Sequence, residues 1–179
     1  MGKVVIHGGR HANRRIMFRD DTNIRPTGSR VREILMNWLR PHIQGLDCLD
    51  IFAGSGVLAF EVMSQGARSV VCIDHSPQNC QQIMHEAKRI GEPGISTKCI
   101  SFPGEVSGEY DLVLMDPPFD QPTLLHPSLQ KTLRFLKKGG LVYIESQMQL
   151  EVIEGYTSVK MKKVGRVWMY LWRREQENE

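Results

Sequence analysis

The stretch Leu46–Gly56, with the sequence LDCLDIFAGSG, decides the fold. Its first half is a short apolar run that ends at Asp50, which is typical of a buried strand. Its second half is a glycine turn, and a helix-forming run follows through about Gln65. Strand, glycine turn and helix in this order predict the first β–α unit of a parallel sheet.

The same alternation continues towards the C-terminus. Ser69–Ile73 is predicted to be a second strand that leads into Asp74, and Ser76-Pro77 predicts a helix start, because serine caps helices and proline suits the first helical position. The remaining predicted elements are strands at 95–100, 111–115 and 141–145, a helix from about 127 to 137, and a hairpin of strands 156–164 and 167–172 joined at Gly165. We therefore expect a doubly wound α/β fold with a mostly parallel, Rossmann-like sheet, helices on both faces and a C-terminal antiparallel hairpin.

The N-terminal part has a different pattern. Two β-type runs, Val4–Ile6 and Arg15–Phe18, flank a turn-prone segment and predict a small hairpin. An amphipathic helix follows and ends before Pro41. We expect a single domain over residues 1–179, with a basic hairpin arm and helix at 1–40 and an α/β core at 41–179.

Composition excludes several classes of protein. With 179 residues, 41% hydrophobic and 24% charged, the chain is ordinary for a globular domain rather than for a disordered or disulfide-rich one. No apolar run is long enough to span a bilayer, and the first 25 residues lack the apolar core of a secretory signal, so we expect a cytoplasmic protein. The four cysteines form no CxxC pair and no metal-ligand spacing with histidine, which predicts reduced thiols and no metal site.

Charge is unevenly distributed along the chain. Residues 1–40 contain nine Lys and Arg against three Asp and Glu, whereas the remainder contains 14 basic and 17 acidic residues. This asymmetry is typical of a polyanion-binding N-terminal part on a near-neutral body, although a solvated basic face would have the same composition.

The first candidate site is a nucleotide-type pocket at the ends of the first two core strands. Gly54 and Gly56 allow the backbone to turn sharply and approach a ligand, and Asp74 stands twenty residues after Gly54, where a carboxylate can accept ribose hydroxyls. Residues 54–59 also match the looser dinucleotide pattern G-x-G-x-x-A. The pocket is thus predicted, and these residues leave its ligand open.

The second candidate site is Asp116-Pro117-Pro118-Phe119, directly after the predicted strand 111–115. Two prolines stiffen the backbone and remove two N–H donors. The Asp116 carboxylate and the Pro117 carbonyl can each accept one N–H of an exocyclic amine, while Phe119 stacks on the attached ring. Because that amine is a poor nucleophile, holding its hydrogens so that the nitrogen lone pair faces an electrophile is catalysis by positioning.

These motifs resemble a known family. Leu49–Gly56 together with Asp116–Phe119 is similar to the S-adenosylmethionine-dependent amino-methyltransferases. Three upstream blocks, Arg25-Pro26-Thr27, Arg30–Glu33 and Asn37–Leu39, sharpen the resemblance to the RsmD-type small-subunit (16S) ribosomal RNA guanine-N2 methyltransferases. The resemblance extends from Gly8 through Ser146.

The resemblance implies S-adenosylmethionine as cofactor and assigns site residues. The implied cofactor contacts are Asp50, Phe52, Gly54 and Gly56 for the methionine part, Asp74 for the ribose, Arg25, Pro26 and Thr27 for pocket closure, and Ser101 on the adenine side, where the family usually carries an acidic or amide residue. Asp116, Pro117 and Phe119 would hold the guanine.

The resemblance also gives the basic arm a partner. Arg10, Arg14, Arg15 and Arg19 would contact phosphates of small-subunit rRNA, free or within a partly assembled 30S particle, with the protein acting as a monomer. A second basic cluster at 160–174 is interpreted as a charged edge strand. Three alternatives stay open: methylation of adenine N6 or cytosine N4 in DNA, a nicotinamide-dependent oxidoreductase, and a catalytically inactive RNA-binding module.

Overall fold

A seven-stranded sheet forms the centre of the molecule in a computed structural model that describes residues 1–20 and 26–176. The described residues form nine strands: β1 Gly2–Val5, β2 Arg15–Phe18, β3 Asp47–Asp50, β4 Ser69–Asp74, β5 Ile95–Cys99, β6 Tyr110–Met115, β7 Leu136–Ser146, β8 Tyr156–Val164 and β9 Val167–Arg174. The first two form a separate hairpin, and the other seven form the central sheet. The α-helices are α1 Ser29–Leu39, α2 Val57–Ser64, α3 Pro77–Ile90 and α4 Leu125–Thr132.

The strand order in this sheet is β5-β4-β3-β6-β7-β9-β8. The first five strands are mutually parallel, and β9 and β8 add to β7 as an antiparallel hairpin. The predicted α/β fold with its C-terminal hairpin is confirmed. None of the helices in the described part of the chain is both long and apolar enough to cross a membrane.

Alternate residues of the central strands face two different cores. Cys48 and Leu112 pack in the larger core with α1, α2 and α3, while Leu49 and Val113 pack in the smaller core with α4. All four side chains are completely buried, as expected for strands covered on both faces. The near-continuous apolar runs that predicted these strands follow from this two-sided burial.

One predicted boundary was wrong. The helix expected to run to about residue 137 ends at Thr132, and Leu136 and Lys137 belong to β7. Leu136 is 1% exposed and pairs with Tyr110 of β6, ahead of a register shift in the ladder. Burial in the sheet therefore overrides the local helical pattern.

The N-terminal hairpin β1–β2 is held against the core by side chains that bond its backbone. The amide N–H of Met17 donates to Glu86 Oε2 at 2.8 Å, and that of His11 donates to Ser64 Oγ at 2.9 Å. The N–H of His7 donates to the carboxylate of Glu61 at 3.2 Å. Helices α2 and α3 thus satisfy donors that a two-stranded hairpin leaves open.

A buried ion pair lies beneath this hairpin. Arg32 Nη1 of α1 donates to Glu61 Oε1 of α2 at 2.7 Å, and neither side chain is more than 6% exposed. Arg32 also donates to the carbonyl oxygens of Val5 and Thr27, at 2.8 and 3.0 Å. Burial raises the pKa of Glu61 even though Arg32 and the His7 backbone oppose the shift.

Removing the arginine from this buried pair should destabilise the protein strongly. We expect Arg32→Met to lower the free energy of unfolding by about 3–5 kcal/mol, because the Glu61 carboxylate would remain buried without its cation. Urea unfolding at neutral pH measures the difference. The matched control is Arg68→Met, which breaks the exposed bond from Arg68 Nε to Asp47 Oδ1 (2.8 Å) and should cost under about 1 kcal/mol. Equal losses in the two variants would contradict a special role for the buried pair.

Candidate active site

Three aspartates meet at one edge of the sheet. Strands β3, β4 and β6 are parallel neighbours and end at or next to Asp50, Asp74 and Asp116. The carboxyl ends of parallel strands lie at the same edge, which is where open α/β sheets bind ligands. The sequence-predicted acidic residues are therefore brought together.

Asp50 is buried and only partly satisfied. Its side chain is 1% exposed, and no described residue donates a hydrogen bond to Oδ1. Burial raises the pKa of this carboxyl to about 8, the charges of Asp116 and Asp74 add to the shift, and the backbone N–H of Phe52 opposes it. A buried acceptor without a donor is costly, which indicates a place for a donor or cation that a ligand supplies.

The glycine turn adopts backbone angles that favour glycine. Gly54 and Gly56 have φ of +52° and +78°. A Cβ at Gly56 would lie 2.9 Å from Ile83 Cγ1, so close packing against α3 also requires glycine at this position. The N–H of Gly54 donates to Asp74 Oδ2 at 2.8 Å, which ties the turn to the end of β4.

Asp74 is well satisfied by protein donors. Its Oδ1 accepts bonds from the N–H of Ser76 at 2.9 Å and from Asn79 Nδ2 at 3.1 Å. Since Oδ2 accepts from Gly54, one lone pair of Oδ2 remains for a ligand hydroxyl. Ser76 caps α3 as predicted, accepting from the N–H of Asn79 at 3.3 Å.

The Asp116-Pro117-Pro118-Phe119 motif leaves the sheet directly after β6. Thr27 Oγ1 donates to Asp116 Oδ2 at 3.2 Å, and Pro117 is buried while Phe119 is 45% exposed. Burial raises the pKa of Asp116 to about 6, against the lowering effect of hydrogen bonds from Thr27 and Glu145. The arrangement offers a carboxylate and an exposed ring at the mouth of the site.

Glu145 is a site residue that sequence reasoning missed. It lies near the carboxyl end of β7, beside Asp116, because Met115 of β6 pairs with Ile144 of β7. Tyr143 Oη donates to Glu145 Oε1 at 2.8 Å, and burial together with the nearby Asp116 charge raises the pKa of Glu145 well above its usual value. The available signal was its position at the end of a strand adjacent to β6.

An apolar cavity of about 460 Å³ opens beside the motif. Its walls come from the segment after β6, from α4, and from the segment after β7. Residues that line it include Pro117, Phe119, Leu125, Leu129, Glu145 and Trp172. A volume of this size with few polar groups suits a planar aromatic ligand.

For the other predicted cofactor residues within the described part of the chain, the structure gives side-chain packing and exposure. Phe52 packs edge-on against Phe102, with ring centroids 6.0 Å apart, and Pro26 is half-buried next to Thr27. Ser101 is exposed, two residues after β5. Arg25 lies outside the described residues. The assignment of all these positions to a cofactor stays a prediction.

The four predicted RNA-binding arginines are all exposed but have different contacts. Arg10 forms an ion pair with Glu92 through Nη2 at 2.6 Å, and Arg14 Nη1 donates to the carbonyl of Ile90 at 3.0 Å. Both side chains thus help to hold the hairpin on α3 and the loop after it. Arg15 and Arg19 lie on or next to β2, and RNA contact by any of the four stays a prediction.

The residues at the sheet edge fit S-adenosylmethionine. That molecule is a sulfonium cation with an ammonium group, and the unpartnered Oδ1 of Asp50 is an acceptor that such a cation satisfies. Asp50, the Gly54 turn and Asp74 would hold it, with one Asp74 lone pair available to a ribose hydroxyl.

Comparison with known proteins gives a consistent result across nearly the whole chain. The family model described as conserved hypothetical protein 95 matches residues 4–173. The ribosomal RNA small subunit methyltransferase D of Escherichia coli K12 is 31% identical over 190 residues, a match that covers 99% of this chain and 93% of that protein. The protein of the same name from Haemophilus influenzae is 31% identical over 189 residues, covering 96% and 94%.

Comparison with solved structures finds proteins of similar fold. The Escherichia coli protein yhhF superposes with a TM-score of 0.87 at 29% identity, covering 97% of this chain and 99% of that one. The ribosomal protein L11 methylase of Lactobacillus delbrueckii subsp. bulgaricus superposes with a TM-score of 0.70 at 21% identity, covering 84% and 81% of the two chains. The second match shows a shared fold.

Neutralising Asp50 should stabilise the ligand-free protein. Its folded-state pKa, about 8, lies above the ordinary value of 3.8, so the folded state holds a proton that the unfolded state releases between these values. The contribution of Asp50 to the free energy of unfolding is therefore largest below pH 4, and it is lost as the pH rises towards 8. We expect Asp50→Asn to raise the free energy of unfolding at pH 8 by at least about 1 kcal/mol, or about 2–4 °C in Tm.

Thermal unfolding across pH 5 to 8 tests this expectation, because the gain should grow with pH. Asp111→Asn is a control at a half-buried aspartate elsewhere in the sheet, where the carboxylate is paired with Lys137 at 2.8 Å. A lower Tm for Asp50→Asn at every pH would contradict the prediction, because it would mean that the native carboxyl stabilises the ligand-free protein.

Proposed function

This chain belongs to the ribosomal RNA small subunit methyltransferase D family, described as conserved hypothetical protein 95, and we propose that it methylates the N2 amine of a guanine in small-subunit rRNA. The observation that carries the proposal is the Asp116-Pro117-Pro118-Phe119 motif at the sheet edge, between the Asp50 pocket and an apolar cavity of about 460 Å³. Methylation of an adenine or cytosine amine uses the same motif, and the family relationship favours guanine in rRNA.

The chain's own residues would act by binding and orientation. Bound S-adenosylmethionine supplies a methyl group on a positively charged sulfur. Asp50 and Asp74 hold the ligand at the ends of β3 and β4, while Thr27, bonded to Asp116, lies next to the Pro26 segment that would close the pocket. The acidic surroundings favour a cation in this position.

The amine is held on the other side of the motif. The Asp116 carboxylate and the Pro117 carbonyl accept its two N–H groups, and Phe119 stacks on the base, so the nitrogen lone pair faces the methyl donor. When the new N–C bond forms and the methyl–sulfur bond breaks, with its electron pair left on the neutral thioether product, the nitrogen must lose one proton. The Asp116 carboxylate, already bonded to that N–H, takes the proton.

The experiment that tests the function begins with rRNA from cells that lack the protein. Purified protein and labelled S-adenosylmethionine are incubated separately with the naked rRNA and with small subunits, and the modified base is mapped by mass spectrometry. We expect label on the N2 atom of one guanine. Label on adenine or cytosine, or unlabelled RNA in every assembly state, would overturn the proposal.

The carboxylate of Asp116 should matter for turnover more than for cofactor binding. We expect Asp116→Asn to lower kcat by about 100-fold or more, because the amide cannot take the proton, while the Kd for S-adenosylmethionine changes by less than about fivefold. Asp120→Asn alters an exposed acidic residue of the same segment and should leave both quantities unchanged. A large rise in Kd with unchanged kcat would place Asp116 in the cofactor site instead.

The basic arm would position the RNA through its phosphates. Arg15 is the appropriate residue to test, because Arg10 and Arg14 also hold the hairpin on the core. We expect Arg15→Ala to weaken RNA binding and to reduce the slope of log K against log salt concentration by about 0.7–0.9, which corresponds to one phosphate contact. Lys162→Ala on the edge strand β8 is the control and should leave the slope unchanged. Equal effects of the two substitutions would indicate a diffuse basic surface.

A further inference from the structure

The base edge next to the target amine distinguishes guanine from the other amino bases. In guanine the N2 amine is flanked by the ring N1–H, which is a donor. In adenine and cytosine the amine is flanked by an unprotonated ring nitrogen, which is an acceptor. A pocket that selects guanine therefore needs a second acceptor beside the one that holds the amine.

Glu145 is placed to be that second acceptor. Glu145 is 4% exposed, it lines the cavity together with Pro117 and Phe119, and it is near enough to Asp116 for that charge to raise its pKa. The parallel pairing of Met115 with Ile144 sets the two acidic residues side by side at the ends of β6 and β7. Glu145 thus lines the cavity itself, and Asp116 stands next to it on the adjacent strand, directly before the cavity-lining Pro117.

Each of the two carboxyls accepts a hydrogen bond from a hydroxyl group of the protein. Tyr143 Oη donates to Glu145 Oε1 at 2.8 Å, and Thr27 Oγ1 donates to Asp116 Oδ2 at 3.2 Å. Each contact uses one lone pair, and a carboxylate has about four such sites. Acceptor capacity therefore remains on both groups for a ligand.

We propose that Glu145 accepts the ring N1–H of the target guanine while Asp116 accepts an N–H of its amine, so that the pair reads two adjacent donors of one base edge. This inference rests on the proposed function and adds a specificity-determining residue to it. Adenine or cytosine would instead turn a ring lone pair towards a carboxylate, which is repulsive.

The pair accepts both donors most strongly when it is ionised, because a retained proton occupies acceptor sites and removes negative charge. When the cavity is empty, burial raises the pKa of Asp116 to about 6 and that of Glu145 well above its usual value, and the Asp116 charge adds to the shift of Glu145, so the pair retains a proton near neutral pH. Among the described residues, the other ionisable groups around the pair are Tyr143, Asp50 and, at the rim of the cavity, His126 and Glu151. Guanine binding is thus coupled to release of the shared proton, and guanine preference increases with pH.

The Glu145→Gln variant imitates the protonated state permanently. Its amide oxygen can accept from Tyr143 as the native side chain does, while its NH₂ group donates towards Asp116 and the cavity. The control is Glu151→Gln, which neutralises an exposed carboxylate that lines the same cavity.

The test compares two substrates that carry the same amine. One is the rRNA substrate with guanine at the mapped position, and the other has 2-aminopurine there, which keeps the 2-amine but has an acceptor at ring N1. We measure kcat/KM for both substrates at pH 6 and pH 8 with the wild-type protein, Glu145→Gln and Glu151→Gln. Tm and the Kd for S-adenosylmethionine establish that each variant is folded and binds its cofactor.

We expect wild-type protein and Glu151→Gln to prefer guanine by about 10–100-fold at pH 8 and by less at pH 6. For Glu145→Gln the ratio should fall to within about threefold of one and become independent of pH. If Glu145 merely holds Asp116 in place, both rates fall together and the ratio stays at its wild-type value, which would overturn the inference. Wild-type protein that leaves the guanine substrate unmethylated contradicts the proposed function instead.

Discussion

The buried ion pair between Arg32 and Glu61 connects the parts of the molecule that the candidate site depends on. Arg32 bonds at once to α2, to the hairpin through the Val5 carbonyl and to the segment before α1 through the Thr27 carbonyl. Because Thr27 in turn donates to Asp116, the orientation of the catalytic candidate is coupled to the docking of the N-terminal hairpin. The planar guanidinium of Arg32 therefore supports both the packing of the N-terminal hairpin and the position of Thr27 beside Asp116.

The sheet edge brings together carboxyl groups that are costly to ionise in the ligand-free protein. The charges of Asp116 and Asp74 raise the pKa of Asp50, and the buried Glu145 adds a further carboxyl beside Asp116. Such an arrangement opposes folding, and it is retained where a ligand offsets the cost. A cationic methyl donor on one side and an N–H-rich base edge on the other would supply the two kinds of partner that these carboxyls lack.

Much of this architecture could be predicted because its signals are local. Apolar runs that end in aspartate fixed the strands β3, β4 and β6, and serine before proline fixed the start of α3. The end of α4 could not be found this way, since Leu136 joins β7 through pairing with a residue 26 positions earlier. Glu145 was missed for the same reason: its significance comes from the adjacency of β6 and β7, which no short motif encodes. Arg10 and Arg14 carry charge that predicted phosphate contacts, and only the fold shows their bonds to Glu92 and Ile90.

The way in which the hairpin is held has a consequence for the order of events during synthesis. The groups that bond its backbone and its basic side chains, Glu61, Glu86 and Glu92, are all translated after it. At about 5–20 residues per second the ribosome needs roughly 4–16 s to add the 80 or so residues that separate Arg10 from Glu92. During that interval the basic hairpin segment lacks its carboxylate partners. The hairpin therefore docks only after α3 has left the ribosome, and the bond from Thr27 to Asp116 forms later still, once β6 has followed.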